Sequence, residues 1–183
     1  MSGGENLAKL TVSGKPGSGT STLVERISEA RGWKSINGGE VFRSEASRRG
    51  LSVEDFSRLC KEDLDVDRSL DTMLKELLLS EGCPEIVESR LIGWWAHSME
   101  IDCLRVWVRV SDEERARRIM ERENLDFNSA LSASRQRNED DMQRYMTLYG
   151  IDLDDMTPYN LIVDADSLDA DGVFKMVNSR IGA

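Results

Sequence analysis

Residues 13–22 (SGKPGSGTST) have the composition of a loop that binds phosphate groups. An apolar run precedes them, and residues 23–27 (LVERI) continue with helical spacing, so the context is strand, glycine-rich turn and helix. Gly14, Gly17 and Gly19 let the backbone curl so that its N–H groups converge on an anion. The start of the helix adds the positive end of its dipole. The segment therefore indicates a site for an oligophosphate.

One position departs from the usual phosphate-loop motif. Thr20 stands where that motif has lysine after its last glycine, and Ser21 stands at the hydroxyl position that approaches Mg²⁺. Lys15 is the nearest cation in sequence, and its side chain either folds over the phosphates or faces solvent. A glycine-containing corner between a strand and a helix occurs in any α/β protein, so the loop alone leaves both interpretations open.

Two further segments place charged residues directly after apolar strands. Glu88 and Arg90 follow one of them, and the carboxylate of Glu88 suits the shell of a Mg²⁺ ion. Arg43 lies one turn into a helix that follows residues 35–39 (SINGG), close enough to the sheet edge to bind a second phosphate. Parallel α/β sheets bind ligands at the carboxyl ends of their strands. The alternative for Glu88 is a salt bridge to an arginine.

The stretch between residues 111 and 159 holds seven arginines and no lysine, which favours bidentate recognition of phosphate. Offsets of four and seven put Arg137, Asp141 and Arg144 on one face of a helix. Pairs on a solvated helix, such as Glu114 with Arg118, account for about half of the seven. We expect the others to surround a transferred phosphoryl group.

Five apolar runs alternate with helical patterns, which predicts an α/β fold with a five-stranded parallel sheet and helices on both faces. The expected strands are residues 9–12, 34–36, 85–87, 104–110 and 160–163. The expected helices are residues 21–31, 39–49, 53–59, 64–80, 93–99, 112–123, 128–149 and 170–181. All 183 residues are expected to form one domain.

Charge and composition argue against several classes of partner. The 34 acidic and 24 basic residues give a formal net charge of −10, which repels nucleic acids and anionic membranes. Cys60, Cys83 and Cys103 show no CxxC spacing and are expected to be reduced thiols, and His97, the one histidine, leaves no zinc set. Residues 1–6 show no targeting signal and no run reaches membrane-spanning length, so we expect a cytoplasmic protein.

Several stretches together resemble the archaeal type of cytidylate kinase, within the nucleoside monophosphate kinases. They are GSGTST, NGGEVFRSEASRRGLSVEDFSRL, VDRSLD, VESRLIGW, ERARRIMERE, RYMTLYGIDLDD and PYNLIVDADSLDADGVF. The resemblance extends over nearly the whole chain. Members of that branch often carry threonine in place of the loop lysine, so Thr20 agrees with it.

The resemblance implies the three-layer fold of P-loop NTPases with two helical insertions. These are a region that binds the nucleoside monophosphate (NMP), about residues 37–84, and a lid, about residues 119–145. The implied activity is transfer of the γ-phosphoryl group of ATP, with Mg²⁺, to CMP or dCMP. The implied partners are therefore small nucleotides, and the implied state is a monomer.

The resemblance also implies roles for individual residues. The ATP phosphates would be bound by Gly14, Lys15, Pro16, Gly17, Ser18, Gly19, Thr20, Ser21 and Thr22, and the metal by Ser21 and Glu88. The acceptor side would comprise Gly39, Arg43, Arg90, Asp141 and Arg144, and the cations around the moving phosphoryl group Arg90, Arg118, Arg122, Arg137 and Arg144. Leu91 stands where bacterial relatives have aspartate, so base recognition must be organised differently.

Two alternatives remain at this stage. Another small P-loop kinase, with AMP, UMP, shikimate or dephospho-coenzyme A as acceptor, would share the loop and the arginines, although NGGEVFR and ESRL favour the nucleotide branch. A non-catalytic nucleotide-binding protein would be consistent with the missing lysine.

Overall fold

The computed structural model describes residues 8–182, which form five strands and eight helices. The elements are β1 (Leu10–Gly14), α1 (Thr20–Arg31), β2 (Ser35–Asn37), α2 (Gly38–Arg48), α3 (Val53–Glu62), α4 (Leu64–Leu79), β3 (Ile86–Glu88), α5 (Ile92–Ser98), β4 (Leu104–Arg109), α6 (Asp112–Glu123), α7 (Phe127–Tyr149), β5 (Leu161–Asp164) and α8 (Ala170–Asn178). The prediction about a targeting signal in residues 1–6 lies outside the described residues.

The strands form one parallel sheet in the order β2-β3-β1-β4-β5, which confirms the predicted architecture. Four strands continue one or two residues beyond their predicted ends, whereas β4 ends one residue earlier. The extension of β1 and β3 follows from pairing, because Gly14 is aligned with Val108 and Glu88 with Val12. The carboxyl ends of β1, β2 and β3 therefore bring the loop, the α2 start and Glu88 to one edge.

Helices cover both faces of the sheet. On one face α1 and α8 pack through Leu23, Ile27 and Val177 onto β1 and its neighbours. On the other face α5 packs onto β1 and β4, and Trp95 and Leu78 belong to the same buried cluster there. Burial on both faces explains why the strands read as continuous apolar runs.

The helix α8 ends at Asn178, three residues before its predicted end. Arg31, the last residue of α1, donates to the side-chain oxygen of Asn178 at 2.7 Å and to its carbonyl at 2.9 Å. These bonds satisfy acceptors that a continuing helix would otherwise use.

Both long crossovers form compact helical units. Residues 37–84 contain α2, α3 and α4, which bury Ala46, Phe56 and Cys60 between them. Residues 111–159 contain α6 and α7, an antiparallel helical hairpin that we call the α6–α7 hairpin. Asn124 adopts a left-handed conformation at its turn, and Asp126 then caps α7.

Several composition-based predictions concern the described residues. Cys60, Cys83 and Cys103 are free and buried, as predicted, and burial raises the pKa of Cys83 to about 11. His97 lies on α5, after the third strand, as predicted. Among residues 8–182, no helix combines the length and the apolar composition that crossing a membrane requires.

We predict that Gly93→Ala lowers the thermal stability of the protein. A Cβ atom at Gly93 would lie 2.3 Å from Cε1 of the buried Tyr159 ring, so the ring or helix α5 must move. Overpacking of this kind costs about 1–3 kcal/mol. Thermal unfolding should show a melting temperature lower by about 2–4 °C for each kcal/mol lost.

The matched control is Gly82→Ala, since a Cβ atom at Gly82 meets nothing within 4 Å. Equal melting temperatures for the Gly93→Ala and Gly82→Ala variants would contradict the close approach of α5 to Tyr159.

Candidate active site

A cleft of about 950 Å³ opens at the carboxyl edge of the sheet. Its floor comes from the ends of β1 and β3, one wall from α2, α3 and α4, and the other wall from α7. The lining residues include the predicted site residues Gly14, Thr20, Ser21, Gly39, Arg43, Glu88, Arg90, Asp141 and Arg144. Residues from four separate segments thus meet in one concave site, as sites for small molecules require.

The phosphate loop at one end of the cleft has the conformation that its glycines allow. Gly17 and Gly19 have φ angles of 82° and 84°, in the left-handed region that side chains disfavour. Ser18 donates its hydroxyl to the carbonyl of Lys15 at 2.6 Å and so closes the turn. No described side chain caps the start of α1. The first amide groups of that helix are therefore available to an anion.

Three arginines, one just after β3 and two on α6, contact the backbone of this loop. They donate to alternate carbonyl groups: Arg90 to Gly14, Arg115 to Pro16 at 3.1 Å, and Arg118 to Ser18 at 3.2 Å. A carbonyl occupied in this way is kept from turning toward a bound phosphate, which it would repel. The guanidinium groups also bring positive charge to a loop that lacks its usual lysine.

Glu88 lies at the foot of the loop. Its Oε1 accepts from Thr20 Oγ1 at 2.6 Å and from Ser21 Oγ at 3.1 Å. Thr20, at the position of the usual lysine, thus contacts a carboxylate. One carboxylate and one hydroxyl are oxygen ligands of the kind Mg²⁺ takes beside phosphates and water. Among the described residues, no group of three or more acidic, histidine or cysteine side chains could hold a metal ion. Ser21 and Glu88 therefore fit a metal ion that takes its other ligands from phosphates and water.

Arg90 and Asp141 are brought together across the cleft. Arg90 Nε donates to Asp141 Oδ2 at 2.8 Å, while its other nitrogen binds the loop carbonyl of Gly14. The pair therefore joins the end of β3, the phosphate loop and α7. The guanidinium of Arg43 lies over Gly39, which is in the first turn of α2. Arg43 forms no ion pair with the described residues. An unpaired guanidinium in a cleft is suited to binding an anion.

Arg144 lies farther along the same wall. Its Nε is 3.2 Å from Asp67 Oδ2, and it also donates to the hydroxyl of Tyr145. Burial alone would lower the pKa of Arg144, but Tyr145, Asp67 and further carboxylates raise it above its usual value. Arg144 therefore remains charged in the cleft.

Three predicted arginines, Arg118, Arg122 and Arg137, do not line the cleft. Arg118 contacts the phosphate loop from α6 instead. Arg122 and Arg137 both pair with Glu123, at 2.8 and 3.5 Å, near the turn of the α6–α7 hairpin. Arg137 therefore lies apart from Asp141 and Arg144, although all three share a helix. Its role and that of Arg122 stay predictions that depend on movement of the hairpin.

The candidate replacements for the loop lysine are Lys15, Arg118 and Arg122, and the first two differ in position. Lys15 pairs with Asp154 at 3.1 Å and lines a second, smaller cavity beside β4. Arg118 lies against the loop, with its other nitrogen donating to Ala165 at 3.1 Å. Thr22, also predicted to bind phosphate, is exposed on the first turn of α1.

Sequence reasoning missed Arg115 as a site residue. Its side chain is fully buried and bonds Pro16 O, Ser134 Oγ at 3.0 Å and Asp112. It occupies the apolar stripe of α6 with Ala116 and Ile119. Helical periodicity could have found it, because an arginine at a core position requires partners.

Asp67 and Asp71 on α4 were also missed. Both line the cleft and are buried, and desolvation raises the pKa of each carboxyl above its usual range. Tyr149 donates to Asp71 Oδ2 at 2.7 Å. The signal was the spacing of four within VDRSLD, which puts both acids on one helix face.

Comparison with solved structures shows a fold shared with small kinases. A shikimate kinase from Bacteroides thetaiotaomicron has a TM-score of 0.60 at 14% identity, with 94% of this chain and 96% of that chain covered. A gluconokinase from Sinorhizobium meliloti has a TM-score of 0.58 at 18% identity, covering 93% and 89%. At these identities the likeness shows the P-loop kinase fold alone.

Sequence comparison is more specific. Residues 9–167 match the model of the cytidylate kinase-like family. A cytidylate kinase from Archaeoglobus fulgidus is 38% identical over 169 residues, which cover 92% of each chain. One from Methanothrix thermoacetophila is 37% identical over 174 residues, covering 95% of this chain and 98% of that one. With the phosphate loop, Glu88 and Arg90 at one sheet edge, this chain belongs to the cytidylate kinase-like family.

Proposed function

We propose that this protein transfers the γ-phosphoryl group of ATP to CMP or dCMP, giving ADP and CDP or dCDP. The observation that carries the proposal is that a single continuous cleft is lined both by residues of the phosphate loop and by Arg43 and Arg90. Two phosphate-binding regions side by side are what in-line phosphoryl transfer between nucleotides requires. The cytidylate kinases that match nearly the full length of the chain support the choice of acceptor.

The donor side is assigned to the loop. Backbone N–H groups between Gly14 and Thr22, except at Pro16, bind the phosphates of ATP, and Ser21 with Glu88 holds the magnesium ion. Magnesium supplies charge neutralisation between the donor phosphates when it is bound. Arg118 adds a positive charge where the loop meets α6.

The acceptor side is assigned to residues of α2, β3 and α7. Arg43 and Arg90 bind the monophosphate of the acceptor, and Gly39 leaves room for the guanidinium of Arg43. Asp141 orients Arg90, since it accepts from Arg90 Nε. Arginines fixed before the substrate arrives stabilise charge on the moving phosphoryl group without reorganisation.

Arg122 and Arg137 are assigned to a closed state of the α6–α7 hairpin. A lid that closes excludes water, which would otherwise accept the phosphoryl group. The proposal includes a monomeric protein in the cytoplasm, where ATP and CMP are available and where three free thiols remain reduced.

The proposal is tested by steady-state assays with Mg²⁺ and ATP and with CMP, dCMP, UMP, AMP or shikimate as acceptor. We expect CDP or dCDP as products, with AMP and shikimate poor acceptors. Equal turnover of AMP and CMP would contradict the base assignment, and binding of ATP without transfer to any acceptor would favour a non-catalytic protein.

A second prediction concerns the missing loop lysine. We expect Arg118→Ala to reduce kcat at least about tenfold more than Lys15→Ala, a difference of about 1.4 kcal/mol. The reason is position: both side chains form an ion pair, but Arg118 also donates to the loop carbonyl of Ser18, whereas Lys15 lies beside a separate cavity.

The matched control is Arg117→Ala, because Arg117 is exposed on the same helix and pairs with Glu114 as Arg118 does. Melting temperatures identify any loss of folded protein. A larger effect of Lys15→Ala would show that the loop carries its own displaced lysine.

A third prediction concerns Glu88→Gln. The amide keeps the shape of the side chain and loses the charge that draws a cation, so turnover should fall and the Mg²⁺ concentration for half-maximal activity should rise. Titration of activity with MgCl₂ measures both. An unchanged magnesium dependence with wild-type kcat would assign Glu88 to structure alone, through its bonds to Thr20 and Ser21.

A further inference from the structure

The end of the cleft remote from the phosphate loop is polar and charged. Helix α4 contributes Asp67 and Asp71 there, and α7 contributes Arg144 and Tyr145. Asp67 exposes only 5% of its side chain, yet it lines the cleft. Buried carboxylates are costly unless they are paired, so this arrangement calls for a reason.

The two carboxylates differ in their free hydrogen-bonding capacity. Asp71 Oδ2 already accepts from the hydroxyl of Tyr149 at 2.7 Å. Asp67 Oδ2 faces Arg144 Nε at 3.2 Å as an ion pair, but it accepts no hydrogen bond from the residues that the structure describes. Asp67 therefore presents an acceptor with unused capacity, directly beside a charged donor.

Leu91 cannot supply a polar contact to a base. It follows Arg90 in the chain, is 1% exposed and belongs to the apolar cluster with Val87 and Ile92. The polar groups that distinguish one base from another must therefore come from the helical wall of the cleft.

The Asp67–Arg144 pair matches one pyrimidine and not the other. Cytosine carries an amino donor at N4 beside acceptors at N3 and O2, whereas uracil carries an acceptor at O4 beside a donor at N3. A carboxylate accepts from the amino group of cytosine, and the guanidinium beside it donates to the ring acceptors. Uracil would place O4 against the carboxylate and N3–H against the guanidinium.

We propose that Asp67 is the specificity residue that accepts a hydrogen bond from the cytosine amino group, with Arg144 as the adjacent donor. The inference rests on the proposed kinase function and adds the group that reads the base. Sites with buried polar groups reject a ligand that leaves them unpaired far more strongly than apolar pockets do.

The test compares kcat/KM for CMP and UMP in the wild type and in Asp67→Asn. The amide of asparagine donates to O4 of uracil, so the CMP/UMP ratio should fall by about tenfold or more. The matched control is Asp65→Asn on the same helix, because Asp65 is 87% exposed and lies outside the cleft. Its ratio should equal that of the wild type.

A second measurement uses the pyrimidin-2-one analogue of CMP, which lacks the amino group and keeps the ring acceptors. The wild type should use it about tenfold or more less efficiently than CMP, and Asp67→Asn should lose most of that preference. The wild-type arm remains informative even if the variant does not fold.

Three outcomes would overturn the inference: equal losses for CMP and UMP in Asp67→Asn, equal use of CMP and the analogue by the wild type, or a ratio that shifts in Asp71→Asn and not in Asp67→Asn. Failure of the proposed function is distinguishable, because the wild type would then transfer phosphate to neither CMP nor UMP.

Discussion

Alternate carbonyl groups of the phosphate loop each accept a hydrogen bond from an arginine, and the arrangement of the site depends on these three contacts. Arg115 is the central one, because it is fully buried and bonds both the loop at Pro16 and helix α7 at Ser134. A buried guanidinium is tolerated only with its partners in place. Arg115 therefore fixes the position of the phosphate loop relative to both helices of the α6–α7 hairpin.

This arrangement accounts for a loop without lysine. Thr20 occupies the lysine position and donates to Glu88, so it links α1 to β3 beside the proposed metal ligands Ser21 and Glu88. Positive charge beside the loop then comes from Arg90, just after β3, and from Arg118 on α6. Arg90 and Arg118 differ from a lysine, since a planar guanidinium carries donors on separate nitrogens and in each residue one of them binds a loop carbonyl.

Much of the fold and part of the site could be predicted from the sequence. Apolar runs and helical periodicity place each element within a few residues, and parallel strands bring Gly14 and Glu88 to one edge whatever the packing. Arg115 and Asp67 were missed because Pro16 and Arg144, the partners that hold them at the site, lie far along the chain. Arg137 shows the limit of predicting a site from a shared helix face. Seven residues of helix separate it from Arg144 by about 10 Å along the axis, and at that distance its guanidinium pairs with Glu123 instead.

Helix α7 connects the functions of the cleft. Asp141 holds Arg90 beside the phosphate loop, and Arg144, one turn later, holds Asp67 at the remote end. The same helix begins at the turn of the hairpin with Phe127, and Arg137, farther along it, pairs with Glu123 at the end of α6. A displacement of α7 would therefore move the partners of Arg90 and Asp67 and the hairpin together. Because Arg90 also binds the loop carbonyl of Gly14, the phosphate loop and the remote end of the cleft are physically linked through two ion pairs on one helix, Arg90–Asp141 and Asp67–Arg144.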